Sequence, residues 1–424
     1  MDKILTKVLE KNKEVYIHYL EELVALDTQV IGHGIDGGYE KNGQMFLEKI
    51  LLEMGAKVKR ELLNEKLIQK GIKLFNEGNP GHNYADRYNL TACFEGDKKG
   101  RSILFNGHVD TMPPGDMSLW DKNPWQPTIK DGKLFGLGAC DMKAGLMASI
   151  MAVKLLQDAN IDLPGDVKIT SVVDEEGGGN GSLAAMLNGH RADAAVVCEP
   201  TDYNLTIGHM GFIFFKVDVT GVALHSGTKW KGVNAIEKAI FLIDALQELE
   251  HRWLMLYKHP FLPSPTLNIG VIEGGTAGST VPDKCTFKLC LHYLPNLMTY
   301  ESVVKEVTDS LMLRSQGDSW LMKHPPEISI YQAGGAFEIS SEDSFVKTAK
   351  KVMGDVMGNP PILNGSNGGN DARLLKNIGK MPTVVMGPGS LEQCHVVNEY
   401  VKVEDYLQFI LIYAKLILNW CKNQ

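Results

Sequence analysis

Ser102-Ile103-Leu104-Phe105-Asn106-Gly107-His108-Val109-Asp110-Thr111 is an apolar run that breaks off into a histidine and a carboxylate two residues apart. The pattern recurs along the chain. Val167-Lys168-Ile169-Thr170-Ser171-Val172-Val173 leads into Asp174-Glu175-Glu176, and Ala194-Ala195-Val196-Val197 leads into Glu199 before Pro200. Asp141 stands in Gly138-Ala139-Cys140-Asp141-Met142-Lys143, and His395 lies near the C-terminal end. Open α/β sheets build their sites at strand ends, so these runs predict an α/β fold with one site gathered there. One His and one carboxylate per metal, with a further carboxylate shared between two metals, gives borderline ions such as Zn2+ an N/O environment with room for a water. One glutamate then remains as a base.

A single histidine is more often a surface or core residue, and most Asp-Glu-Glu runs are solvated loops. The combination in this order is what points to a metal site. Cys140, Cys198 and Cys394 each precede one of these residues, which invites thiolate ligation. Adjacent residues of an extended segment face opposite ways, and Cys packs well as a small buried hydrophobe. Packing beside the site is therefore expected of all three.

Composition sets the outer bounds. A chain of 424 residues, 44% hydrophobic, can bury a large core and is long enough for at least two domains. The formal net charge of −8 offers no electrostatic footprint for nucleic acid. Seven scattered cysteines with no Cys-x-x-Cys pair suggest neither a disulfide framework nor a zinc finger, and a reducing cytoplasm fits them. Residues 1–23 carry Lys and Glu on a helical period, without the apolar core of a signal peptide. The apolar stretch from Leu407 to Trp420 is short for a membrane span and carries Gln408 and Lys415, so a buried terminal helix is expected, and no membrane partner.

Up to about Ile207 strand-like and helical runs alternate, including a helical run from Ala144 to Asp158. The text then changes. Phe212–Val219, Thr266–Ile272 and Cys285–His292 read as strands, and Asn234–His251 and Tyr300–Gln316 as helices, giving two strand-helix-strand halves of a small α+β sandwich. The expected division is 1–207 for the first part of one domain, 208–332 for an insert and 333–424 for the return.

Gly107-His108-Val109-Asp110-Thr111, Trp120, Pro124, Asp131 to Gly138, Asp141-Met142-Lys143-Ala144-Gly145, Gly387-Pro388-Gly389 and His395-Val396-Val397-Asn398-Glu399 together resemble the M20 metallopeptidase family, closest in flavour to acetylornithine deacetylases and succinyl-diaminopimelate desuccinylases. The resemblance covers nearly the whole chain. It implies a zinc-peptidase-like catalytic domain, a mixed central sheet flanked by helices, with an inserted α+β lid that mediates dimerisation in many members. It implies two divalent ions per chain, Zn2+ foremost with Co2+ or Mn2+ as alternatives. His108 and Glu199 would bind one, Glu176 and His395 the other, and Asp141 would bridge. Glu175 resembles the general base, and Asp110 the carboxylate that orients the His108 ring. Residues i and i+2 of an extended segment share a face, so His108 and Asp110 can touch, whereas Glu175 and Glu176 point differently.

In the insert, Gly221-Val222-Ala223-Leu224-His225-Ser226 matches the stretch whose His stabilises the tetrahedral oxyanion, usually in the partner subunit's site. The other reading of His225 is a residue ending an edge strand. Asn370, Arg373, Gly387, Gly389 and His292 are the expected substrate contacts. Two departures bear on the substrate. Ser279 stands where an Asn is usual, and His292 stands where an Arg typically grips a substrate carboxylate in a two-pronged pair that a His cannot reproduce. The run Asn364–Gly369 either offers backbone N–H groups to an anion or is a turn. The expected function is acetylornithine deacetylase-like hydrolysis of the N-acyl bond of a small amino compound by a homodimer. A metal-dependent di- or tripeptidase is the alternative, and a non-catalytic metal-binding protein a more distant one.

Overall fold

The computed structural model describes residues 2–366 and 368–422. Asn367, within the glycine-rich run considered for anion binding, lies outside them. The chain divides into two compact units, one of residues 1–207, 339–364 and 370–424, the other of 208–338 and 365–369. The second unit runs past the expected 332 because its strand Glu327–Gly334 pairs along Gly211–Thr220 and so stays in the insert's own sheet.

The first unit is built on a mixed sheet in the order Leu205–His209, Thr383–Val385, Ala195–Val197, Ile103–His108, Val167–Val172, Tyr88–Phe94, Lys57–Leu62. The four strands from Thr383–Val385 to Val167–Val172 are parallel, and each strand outside them pairs antiparallel with its inner neighbour. Strand Ile103–His108 is buried along its whole length, as expected where helices cover both faces. Its alternation shows the two faces directly. The Phe105 ring lies 5.0 Å from Tyr413 of helix Val403–Trp420, whereas Asn106, the next residue, donates to Ser182 of helix Asn180–Leu187 at 2.9 Å. Gly107 returns to the first face, where a Cβ would sit 3.1 Å from Leu146.

Helix Ala144–Asp158 is buried almost all round, and Val403–Trp420 packs along it. The apolar stretch from Leu407 therefore lies in the core, where Lys415 reaches Asp2 at 3.0 Å. No described helix is long and apolar enough to cross a membrane.

The second unit is an antiparallel sheet in the order Thr266–Gly274, Lys284–Tyr293, Gly211–Thr220, Glu327–Gly334. Strands Gly211–Thr220 and Lys284–Tyr293 bury every second residue, the period of a sheet with one covered face. Phe215, Val217, Phe287 and Leu289 pack there with Leu242, Leu246, Leu249 and Trp253 of helix Ala235–Leu256. The helix starts at Asn234, whose side chain accepts from the Ile236 and Glu237 N–H groups, an N-cap that leaves fewer orphan donors. Trp253 is fully buried, and its indole N–H donates to Glu306 at 2.7 Å. Trp253→Ala removes the largest buried side chain of this unit and strands that acceptor. It should cost about 3–5 kcal/mol, measured as a fall in the urea midpoint by circular dichroism; a loss under about 1 kcal/mol would show that the cluster repacks freely.

Candidate active site

The parallel strands all end at one edge of the sheet, and the chain leaving each carries a polar side chain to the same place. Strand Ile103–His108 delivers His108, strand Val167–Val172 leads to Asp174-Glu175-Glu176, strand Ala195–Val197 to Glu199, and strand Thr383–Val385 to the Gly387–Gly389 turn. His108, Asp141 and Glu176 bring ligand atoms within 4.8 Å of one another, as do His108, Glu175 and Glu199.

Asp141 lies at the centre. Its Oδ1 is 3.1 Å from His108 Nε2, and its Oδ2 is 3.4 Å from His395 Nε2. His108 Nε2 is also 3.6 Å from Glu199, and His395 Nε2 is 3.0 Å from Glu176. Each imidazole thus faces one oxygen of Asp141 and one further carboxylate. The Asp141-Met142 peptide is cis.

The two rings are held differently. His108 is buried, and its Nδ1–H donates to the backbone carbonyl of Asp110 at 2.9 Å, which leaves Nε2 as the side that faces Asp141. The Asp110 carboxylate was expected to orient this ring, yet its Oδ1 is 3.8 Å from Nδ1 while its Oδ2 accepts from the Glu176 N–H at 3.0 Å. The turn after His108 points the carbonyl at the ring, and Oδ1 of the carboxylate faces the same side of it. His395 sits at φ 58° with its side chain half exposed.

Burial and mutual repulsion shape the titration. Burial, then the charge of Asp141, pushes Glu199 up to about 7. Burial, then Asp371, holds Glu175 well above the usual carboxylate range. Burial works against a charged His108, but hydrogen bonds to Asp141 and Glu199 more than offset it, and its pKa lies well above the ordinary value. Hydrogen bonds to Asp141 and Glu176 raise His395 to about 10. Without an ion, protons on the imidazoles must balance the acids. Divalent cations among these N and O donors would supply that charge instead, and the donor set suits Zn2+.

Supporting groups surround the cluster, and of these Arg87, Glu40 and His82 carry no local sequence signal. Glu399 is buried, and its carboxylate accepts from the N–H groups of Gly138 and Cys140 at 2.7 Å each and of Asp141 at 3.0 Å. Burial, then the charge of Asp141, pushes it up to about 8. Arg87 and Glu40 are fully buried. Arg87 pairs with Glu40 and donates to Asp174 at 2.8 Å, and His82 meets the other oxygen of Asp174 at 2.8 Å. Asp174 has φ 64°, a left-handed conformation that this buried bonding holds in place.

The surroundings of the expected substrate contacts are these. Arg373 is 3% exposed and donates to Glu77 at 3.0 Å, to the Asn370 carbonyl at 2.8 Å and to the Gly178 carbonyl at 3.0 Å, which makes it a brace for the turn after Glu176. Asn370 is buried and accepts from the Ala372 N–H at 3.0 Å. A Cβ on Gly387 would lie 2.4 Å from the Cys198 carbonyl, so Gly387 lets the chain approach the backbone that presents Glu199. Gly389 has φ 94° and similarly crowds Cys140 Sγ. In the second unit, His292 is partly buried, which lowers its pKa. His225 is exposed, and its Nδ1 accepts from the Gly227 N–H at 3.1 Å, so the neutral ring carries its proton on Nε2. The Ser279 carbonyl accepts from the neighbouring Ser226 N–H at 2.8 Å.

The polar cluster opens into a cleft of about 100 Å³ bordered by Thr111, Trp120 and Val396. The N-formyl-4-amino-5-aminomethyl-2-methylpyrimidine deformylase of Halalkalibacterium halodurans is 32% identical over 361 residues, 80% of this chain and 84% of that one. The acetylornithine deacetylase of Pasteurella multocida is 29% identical over 85% of this chain and 90% of its own. The fold matches aminopeptidase PepT of Bacillus cereus with a TM-score of 0.72 at 22% identity, covering 96% of this chain and 99% of that one. Residues 104–419 match the profile of peptidase family M20/M25/M40. The chain belongs to this family and is a metal-dependent hydrolase of amide bonds.

Proposed function

We propose that the chain is a co-catalytic dizinc N-deacylase that hydrolyses the amide between a small acyl group and the nitrogen of a small amino compound. The observation that carries this reading is the Asp141 carboxylate, whose two oxygens face two different imidazoles. In this reading His108 and Glu199 hold one ion, Glu176 and His395 the other, and Asp141 lies between. Bound there, the ions would lower the pKa of a water and polarise the amide carbonyl.

Glu175 is the group left for proton work. It lies beside His108 and Glu199, and its pKa is already raised by burial and by Asp371. As the carboxylate it takes a proton from the attacking water and delivers it to the departing amine nitrogen. His225 with its proton on Nε2 suits a donor to the oxyanion. We assign it to the site of the partner in a homodimer formed through the second unit.

The amine favoured by this chain lacks a carboxylate. His292 stands where an arginine fork would hold one, and burial lowers its pKa, so it is mostly neutral at pH 7. The 32% identical relative is named as a deformylase of an aminomethylpyrimidine, which accords with such an amine.

With divalent metal restored, the protein should release formate or acetate from N-acylated aminomethyl heterocycles at a kcat/KM at least about tenfold above that for N-acetylornithine or dipeptides, since each lost charged contact is worth about 1.4 kcal/mol or more. A preference for N-acetylornithine would show that another group grips a carboxylate, and a preference for dipeptides would favour the peptidase reading. Glu175→Gln should keep its metal and lose on the order of a hundredfold or more in kcat; loss of metal would move Glu175 into the ligand set.

His225→Ala should lower kcat by about a hundredfold with metal content unchanged. Mixed with the Glu175→Gln protein under conditions of subunit exchange, it should regain activity in part, because one site of the mixed dimer has both groups. Exchange without recovery would rule out donation between subunits.

A further inference from the structure

The first unit holds a second cavity, of about 170 Å³, between the segment 120–126, the hairpin of strands Thr128–Lys130 and Lys133–Phe135, and Asn398. Its apolar wall comes from Trp120 and Phe135, both partly buried. Each is held in place from outside the cavity. The Trp120 indole N–H donates to the Pro114 carbonyl at 2.8 Å, and the Phe135 ring packs on Tyr400 with 5.3 Å between centroids. An apolar cavity of about 150 Å³ accommodates one benzene molecule, so this one has room for a single six-membered ring bearing a small substituent.

The polar groups on its border are mostly donors. Asn123 Oδ1 accepts from the Trp125 N–H and Asn398 Oδ1 from the Asp121 N–H, both at 2.9 Å. Each amide has thus spent its oxygen on the backbone and keeps an NH2 group for a ligand. The Thr128 hydroxyl donates to the Gln126 carbonyl and accepts from Lys122 Nζ, both at 3.2 Å, so the ammonium retains further N–H bonds. Among the described residues neither Lys122 nor Lys130 forms an ion pair. Asp121 is the one acid on the border, against two ammonium groups.

We propose that this cavity is an accessory binding site for a small aromatic acid, whose ring packs against Trp120 and Phe135 and whose anionic group is met by Lys122, Lys130 and the amides of Asn123 and Asn398. Ammonium and amide donors form charge-assisted hydrogen bonds with a carboxylate, and a flat ring matches an aromatic wall. A neutral ring leaves the ammonium groups without an anion, and an aliphatic acid leaves the wall uncovered. Trp120 also borders the catalytic cleft, whereas no member of the Asp141 cluster borders this cavity. The two can therefore be filled at once.

The test is a titration of the metal-loaded chain with benzoate, followed by ligand-observed nuclear magnetic resonance. Saturable binding is expected with a Kd on the order of 1 mM, the range open to a ligand of so few atoms. Benzamide, which lacks the charge, and acetate, which lacks the ring, should each bind about tenfold more weakly or worse. The double substitution Lys122→Ala, Lys130→Ala should weaken benzoate by about tenfold or more. It should leave amide hydrolysis unchanged, since both side chains are exposed and lie outside the cluster. Hydrolysis should also continue at saturating benzoate. Benzoate binding that survives the double substitution, or inhibition that excess substrate relieves completely, would place the acid on the Asp141 cluster and overturn the proposal. Acetate or benzamide binding as tightly as benzoate would overturn it as well. The binding measurements involve no turnover, so their outcome is separate from that of the deacylase reading.

Discussion

Carboxylates that crowd together out of water repel, and each is costly to keep charged unless a cation or a donor meets it. The cluster around Asp141 lives under that constraint. Asp141, Glu175, Glu176, Glu199 and Asp371 are placed near one another by strand ends and turns, and the pKa of Glu199 is raised to about 7 by burial and by Asp141. An arrangement so unfavourable in isolation makes chemical sense around divalent cations. The surrounding structure can be understood as what prevents the acids from moving apart.

That restraint comes from backbone donors and from buried ion pairs. Glu399 gathers three N–H groups of the segment Gly138–Asp141, so the Asp141 turn is pinned from behind. Asp110 takes the Glu176 N–H, and Arg373 takes the Gly178 carbonyl. Arg87 between Glu40 and Asp174 is the deepest of these braces. Burial disfavours its charge, but Asp174 and Glu40 hold the guanidinium pKa above its ordinary value. Removing one member of a buried ionic set leaves the others uncompensated, which is why such sets tolerate substitution poorly.

The legible part of the sequence was the part with local rhythm. Apolar runs at 103–105, 167–173 and 194–197 became strands, and the polar residues just past them are the ones the fold gathers. Phe212–Val219 and Cys285–His292 read as strands, and in the second unit they are strands with one covered face. What escaped was partnership over distance. Arg373 was expected among the substrate contacts, and nothing near it in sequence reveals that Glu77 waits 296 residues away. Arg87 and Glu40 belong to no periodic pattern, and their burial appears only once the sheet is assembled. The i, i+2 spacing of His108 and Asp110 does not distinguish the carbonyl of Asp110, 2.9 Å from the ring, from its carboxylate, 3.8 Å away.

The central claim is that Asp141 lies between two ions. Crystals of the metal-replete protein, measured at the zinc absorption edge, test it most directly. The account predicts two anomalous peaks per chain about 3.5–4 Å apart, one between His108 and Glu199 and the other between Glu176 and His395, each bonded to a different oxygen of Asp141. A single peak in fully loaded protein, or two peaks that leave either oxygen of Asp141 without a metal, would contradict it.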